Sequence, residues 1–246
     1  MEGIEEALYW HTVGIVADSG RSTGTAIATR FNRQCALLTA KHVIDKTSNE
    51  SLGFFFRPPG TLKREDWWQG TSPAGRIEPA RPIQIFHRFL HPNLDLAALV
   101  VSPTLNKHAN LKFFDLSRES KLPRPMSSVA VIGFPADSLQ LIRPGIPVIA
   151  AYTIWGNVER GKHWRPSDYQ PSSNLLLRFL PATIGKHPGG FSGAGVWYHG
   201  IDPKGTVWSP NLGLAGIVTH YYPGKQMLLI SRVEGLAQFL GQICPA

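Results

Sequence analysis

Ser192 lies in Gly189-Gly190-Phe191-Ser192-Gly193-Ala194-Gly195, a run in which one hydroxyl is flanked by residues too small to block approach to the main chain. Glycine has no Cβ, so it accepts backbone conformations closed to other residues and lets a substrate carbonyl come close to N–H groups. Such a run suits the stabilisation of a developing oxyanion, and taken alone it equally suits a turn between two strands. A serine hydroxyl needs a base to become a nucleophile, and the base needs a group that fixes its tautomer. Two distant segments offer these partners. In Leu37-Leu38-Thr39-Ala40-Lys41-His42-Val43 an apolar strand ends in a small-residue turn that presents His42. In His91-Pro92-Asn93-Leu94-Asp95-Leu96-Ala97-Ala98-Leu99-Val100 an aspartate, Asp95, enters an otherwise apolar strand. Each has an ordinary reading by itself, as a surface histidine and as a turn aspartate. Read together, His42, Asp95 and Ser192 supply a base, an orienting carboxylate and a nucleophile.

The order His42, Asp95, Ser192 is that of the chymotrypsin-type triad and differs from the orders found in α/β-hydrolases and subtilisins. The sequence resembles the trypsin/chymotrypsin-like serine peptidases, and is most similar to their compact bacterial members. Thr23-Gly24-Thr25-Ala26-Ile27-Ala28 resembles an early strand of that family, Leu38-Thr39-Ala40-Lys41-His42-Val43 its histidine segment, and Asp95-Leu96-Ala97-Ala98-Leu99 its aspartate strand. Val131-Ile132-Gly133-Phe134-Pro135 and Gly216-Ile217-Val218-Thr219-His220 resemble two later strands, the second of which edges the substrate cleft.

The resemblance implies a two-barrel serine endopeptidase acting on protein or peptide substrates, with His42, Asp95 and Ser192 as catalytic residues and no metal or other cofactor. It implies an oxyanion hole made by the backbone N–H groups of Gly190 and Ser192. The primary specificity pocket would be walled by Thr183-Ile184-Gly185-Lys186-His187 and by Thr219-His220-Tyr221. With no aspartate before the serine, a preference for Lys or Arg is not expected. Lys186, His187 and His220 would favour an acidic residue before the scissile bond, and Tyr221 would narrow the pocket toward a small one. The bland alternative leaves Lys186 solvated and His220 packed beside the cleft. Two residues depart from the family pattern. Phe191 stands where many extracellular relatives have an aspartate that pairs with a newly cleaved N-terminus, so activation by that ion pair is not expected. Ala194 replaces a glycine and would misplace the loop if its φ were positive. These departures are the support for the alternative that the chain is a catalytically degenerate binding module.

The elements that must position these residues read as β-structure. Strand-like segments alternate with turns rich in the chain's 24 Gly and 20 Pro, which favours an all-β architecture. The expected fold is two six-stranded Greek-key β-barrels of the chymotrypsin type with a C-terminal α-helix. The expected division is 1–110 for the first barrel, carrying His42 and Asp95, 111–126 for the connection, and 127–246 for the second barrel, carrying Ser192. Strands are expected near Tyr9–Ala17, Gly24–Phe31, Cys35–Ala40, Leu52–Phe56, Ile83–Phe86 and Leu96–Val101, with a helical turn after Ala40. In the second half they fall near Ser128–Gly133, Pro147–Trp155, Leu175–Leu180, Gly195–Tyr198, Gly213–His220 and Gln226–Ser231. Segment 57–76, with Trp67-Trp68, reads as a decorated loop and 156–173 as an exposed loop rimming the cleft. Val233, Leu236, Ala237, Leu240 and Ile243 recur at helical intervals, the pattern of an amphipathic terminal helix.

With 246 residues, 43% of them apolar, the chain can bury a sizeable core. Its start, Met1-Glu2-Gly3-Ile4-Glu5-Glu6, is acidic where a secretory leader is basic, and no apolar run is long enough to span a bilayer. Only Cys35 and Cys244 occur, and Val43 stands where the family's histidine-loop disulfide would have its second cysteine. Cys35 therefore reads as a core thiol and the compartment as reducing and cytoplasmic. A formal charge of +8 is spread thinly, without a block of like charges, and no nucleic-acid motif accompanies it. Nucleic acid is therefore not the expected partner. A cytoplasmic protease must be restrained, and compact bacterial relatives serve as effectors beside sensor proteins in stress or phage defence. By that analogy a regulatory protein partner is expected.

Overall fold

Thr12–Ala17, Ser22–Phe31 and Gln34–Thr39 form three consecutive antiparallel strands, β1, β2 and β3, because their branched and small side chains are buried on both faces of the sheet. Phe31 pairs with Gln34 across a two-residue turn, and Asn32 takes the left-handed conformation that such a turn demands, with φ of 56°. The computed structural model describes residues 7–17, 22–55, 83–105, 111–116, 128–138, 140–143, 146–148, 152–159, 164–179, 188–200 and 211–243. A four-residue helix, α1 (Lys41–Ile44), follows β3 directly. The first sheet is completed by β4 (Leu52–Phe55), β5 (Ile85–Leu90), β6 (Ala97–Val101) and the short β7 (Phe114–Asp115), which runs parallel to β2. Its order is β4-β1-β2-β3-β6-β5, a curled half-barrel that does not close among the described residues.

The second half contains β8 (Ser128–Gly133), β9 (Gln140–Arg143), β10 (Ile146–Val148), β11 (Tyr152–Glu159), β12 (Asn174–Arg178), β13 (Gly195–Gly200), β14 (Asn211–Tyr222) and β15 (Met227–Arg232). Six of these close into a barrel in the order β11-β12-β15-β14-β13-β8, and β9 with β10 forms a separate hairpin. The terminal helix α2 (Val233–Ile243) follows β15 without a linker. The fold is thus all-β with a C-terminal helix.

Each sheet encloses its own core, with Val13, Ile15, Leu37, Phe54 and Leu99 in the first and Val129, Val131, Phe179, Phe191 and Ile230 in the second. A third cluster welds the two together: Ile27, Leu38 and Leu96 from the first half meet Ile132, Trp197, Leu214 and Ile217 from the second. Val233, Leu236, Phe239 and Leu240 of α2 seal this cluster, and Leu8 and Tyr9 enter it from the other end of the chain. Strands β2 and β3 therefore have no solvent face, which is why they read as continuous apolar runs.

Several boundaries differ from the sequence expectation. The segment from Tyr9 does not begin a strand: residues 7–9 are helical, Thr12 Oγ1 donates to the Leu8 carbonyl, and β1 starts at Thr12. Strand β5 begins at Ile85 and runs to Leu90, beyond the expected Phe86. The segment expected as one strand over Pro147–Trp155 is two strands, β10 and the start of β11. Residues 156–159, expected as the start of an exposed loop, belong to β11, because Gly156 and Asn157 pair with Val129 and Ser128 and Val158 is buried. The connection expected over 111–126 is described only over 111–116, where β7 still lies on the first sheet; Trp67, Trp68 and Cys244 lie outside the described residues. Cys35 is a buried free thiol.

His11 ties the inter-barrel cluster to the segment that follows the first sheet. Its Nδ1 donates to the Lys112 carbonyl at 2.6 Å, and its ring lies 5.6 Å from Phe114 and 5.5 Å from Trp197, centroid to centroid. Burial lowers its pKa from 6.5 to about 4, with the Lys112 charge adding to the shift and the hydrogen bond opposing it. The unfolded chain takes up this proton near pH 6.5 and the folded one only near pH 4, so folding loses stability as pH falls through that window. Urea unfolding of wild type and His11→Asn at pH 7 and pH 4 should show the wild type losing about 3 kcal/mol relative to the variant. Parallel losses in the two proteins would show that His11 does not carry the effect.

Candidate active site

His42 is carried by α1, which starts at Ala40 with extended φ and ψ and closes through hydrogen bonds from Val43 N–H to Ala40 and from Asp45 N–H to Lys41. Val43 and Ile44 are buried in the first core, which turns His42 outward. The C-terminal carbonyls of so short a helix need partners, and Arg88 of β5 supplies one: its guanidinium donates to the Ile44 carbonyl, and also to the Thr47 carbonyl in the turn beyond the helix.

Asp95 closes a turn built by His91. The His91 Nδ1 accepts from the N–H groups of Asn93 at 3.1 Å and Leu94 at 2.9 Å, and His91 N–H donates to the Leu96 carbonyl at 2.9 Å. The turn delivers the Asp95 carboxylate to α1, where Oδ1 accepts from the His42 backbone N–H at 2.9 Å and Oδ2 lies 2.6 Å from His42 Nδ1. On the far side of the ring, His42 Nε2 lies 2.9 Å from Ser192 Oγ. The structure thus brings the three residues into one hydrogen-bonded chain across the barrel junction.

The electrostatics follow this chain. Burial pushes the Asp95 carboxyl up, but the hydrogen bonds from the His42 ring and N–H, with positive charge at His42 and His220, outweigh it and hold the carboxyl below its ordinary value. The hydrogen bond to Asp95 raises the His42 pKa above its ordinary value; burial opposes the shift, and the charges of Asp95 and Asp45 add to it. The imidazole therefore accepts a proton more readily than a free histidine and has a carboxylate ready to hold the resulting cation.

Around Ser192 the main chain alternates between committed and open groups. The N–H groups of Phe191, Gly193 and Ala194 donate to the carbonyls of Pro188, Val218 and Phe191 at 3.0, 2.7 and 2.8 Å. Those of Gly190 and Ser192 have no acceptor among the described residues. Gly190 and Gly193 take φ of +93° and +87°, which only glycine adopts without strain, and a Cβ on Gly193 would lie 1.9 Å from the Thr25 carbonyl. Ala194 has no positive φ and is fully buried, so its methyl fits the loop. Phe191 is also fully buried, its ring lying against the backbone of Gly133 in the second core.

The residues assigned to the pocket are distributed as follows. Thr219 is buried and its hydroxyl donates to the Leu229 carbonyl at 3.3 Å. His220 is exposed, its ring 4.6 Å from that of Tyr222, which in turn meets Trp164 edge to face at 5.1 Å. Tyr221 meets Phe179 edge to face at 5.4 Å. Lys186 and the rest of 183–187 lie outside the described residues. Among the described residues no group of three His, Cys, Asp or Glu side chains is placed to hold a metal ion, and no helix is long and apolar enough to cross a membrane. The sequence pointed to neither Arg88 nor the side chain of Thr25, because an arginine on a strand and a threonine in one carry no local signal of their partners.

This is the trypsin/chymotrypsin-like two-barrel fold. Among solved structures it is similar to a scabies mite inactivated protease paralogue, S-I1, with a TM-score of 0.58 and 13% identity over 96% of this chain and 94% of that one. It is likewise similar to the Rv3671c protease in an inactive form, with a TM-score of 0.54 and 15% identity over 98% and 93%, and to human heparin binding protein, with 0.58 and 11% over 97% and 93%. No family model and no curated protein matches the sequence.

Proposed function

We propose that this chain is a serine endopeptidase. Ser192 Oγ attacks the scissile carbonyl as His42 Nε2 takes its proton, and the N–H groups of Gly190 and Ser192 receive the oxyanion. Collapse of the tetrahedral intermediate passes the proton from His42 to the leaving amine and leaves an acyl-enzyme. Water, deprotonated by the same imidazole, then hydrolyses the ester and restores Ser192. Asp95 holds the Nδ1–H tautomer throughout and stabilises the imidazolium. The observation that carries this reading is the continuous chain of contacts from Asp95 Oδ2 through His42 to Ser192 Oγ, at 2.6 and 2.9 Å. Its substrates are proteins or peptides, and the enzyme acts in the cytoplasm under the control of a regulatory protein.

The similar structures include proteins described as inactivated or as heparin binding, so the fold alone does not carry activity and a degenerate binding module is the second reading. A fluorophosphonate probe separates the two. Intact-mass analysis should show one adduct on wild type and none on Ser192→Ala. An unlabelled wild type would make the chain a binding module or an enzyme latent until its partner binds, and labelling restored by a co-purified partner would identify the latter.

A further inference from the structure

Every carbonyl from Gly189 to Ser192 has a donor: Gly189 receives Ala136 N–H at 2.6 Å, Gly190 the Thr25 hydroxyl at 2.9 Å, Phe191 the Ala194 N–H at 2.8 Å, and Ser192 the Thr25 N–H at 2.8 Å. Two of these four donors belong to Thr25, which lies on β2 of the first sheet, 165 residues before Gly190. Its hydroxyl is fully buried and doubly used, accepting from Phe134 N–H at 3.0 Å while donating to Gly190. Its own carbonyl accepts the Thr39 hydroxyl at 2.6 Å, which anchors Thr25 to the strand that leads into His42.

A trans peptide unit is planar, with its C=O and N–H pointing opposite ways. Holding the Gly189 carbonyl against Ala136 therefore aims the Gly190 N–H away from Ala136. Holding the Gly190 carbonyl on Thr25 fixes the next unit, whose Phe191 N–H is bound to Pro188. We propose that Thr25 is a positioning residue that locks the two peptide units flanking the Ser192 N–H, Gly190–Phe191 and Ser192–Gly193, while the Ala136 N–H locks the unit that bears the Gly190 N–H. The oxyanion hole is thereby set in advance, in the place of an ion pair made by a cleaved N-terminus. This inference rests on the hydrolase reading. The buried Phe191 leaves no carboxylate beside Ser192 for such an ion pair, so the loop takes its orientation from the first sheet.

The test compares wild type, Thr25→Val, Thr25→Ser and Ala136→Pro in hydrolysis of p-nitrophenyl acetate across pH, beside fluorophosphonate labelling. Valine matches threonine in shape and removes the hydroxyl. Thr25→Val should lower kcat at least about tenfold, part of the cost of losing an oxyanion donor. Its KM should stay within about twofold, and the acid-side inflection set by His42 should not move. Thr25→Ser should return within about threefold of wild type, and Ala136→Pro, at the start of a short helical turn where proline is accepted, should repeat the valine result. A Thr25→Val enzyme within about twofold of wild type would overturn the proposal, and so would a serine variant no better than the valine one. If Thr25→Val does not fold, Ala136→Pro decides on the same two criteria. A wild type that neither hydrolyses the ester nor takes the probe, alone or with a co-purified partner, overturns the hydrolase reading itself, whereas a reactive wild type with indifferent variants overturns only the role of Thr25.

Discussion

Replacing Asp95 with asparagine is expected to lower kcat/KM on the order of 10⁴-fold at neutral pH while leaving the fold intact. The asparagine amide can still accept the His42 backbone N–H that Asp95 Oδ1 holds at 2.9 Å, so α1 keeps its place. Toward the ring the change is severe. An amide N–H directed at Nδ1 selects the tautomer with its proton on Nε2, which faces Ser192 Oγ and can no longer accept from it. The pH profile gives a second readout. In wild type the rate is lost as pH falls through the His42 pKa, which the hydrogen bond to Asp95 raises above its ordinary value, so the acid inflection lies above pH 6.5. In Asp95→Asn the chief cause of that elevation is gone and the inflection moves toward lower pH. A loss smaller than tenfold, or an unmoved inflection, would remove Asp95 from the mechanism.

The second large effect is on stability. Phe191→Asp places a carboxylate at a position with no solvent access, among the apolar side chains of the second core. Truncating a buried phenylalanine costs about 3–5 kcal/mol, and an unpaired buried charge adds several more. That sum approaches or exceeds the whole stability of a typical domain, so the variant should be recovered unfolded or aggregated. Phe191→Leu, which keeps an apolar side chain, should fold with a much smaller loss. Urea titration followed by tryptophan fluorescence measures both. A Phe191→Asp protein within about 1 kcal/mol of wild type would mean that the carboxylate has found a cation in the core, and the contrast drawn above with N-terminal activation would fail.

What could be read from the sequence divides along a physical line. β8 over Ser128–Gly133 and α2 over Val233–Ile243 fall where their residues suggest, because β8 is a short continuous apolar run buried on both faces and α2 buries side chains at helical intervals. The three residues of the hydrogen-bonded chain were legible because the glycine run, the small-residue turn before His42 and the Asp-led apolar strand each leave a local mark. The connections between them were not. Thr25 looks like any strand threonine, and its two bonds to the nucleophile loop cross from one sheet to the other. Arg88 lies past the point where its strand was expected to end, and its partners are carbonyls, which have no sequence identity at all. The first sheet, expected as a six-stranded barrel, is a half-barrel among the described residues, since closure depends on pairings far apart in the chain.

The way the inter-barrel cluster is assembled has a consequence for synthesis. Leu8 and Tyr9 leave the ribosome long before Leu236, Phe239 and Leu240, yet all five occupy the same cluster, beside the strand that bears Thr25. Until α2 has been made, the two halves lack the surface that docks them and the first-sheet threonine cannot reach the serine loop. A nascent or truncated chain can therefore hold His42 and Asp95 in place and still have no formed nucleophile site. On the proposed function, hydrolytic power would arise only after α2 has been made and has docked, so the translating cell is spared a protease that works while the two halves are still apart.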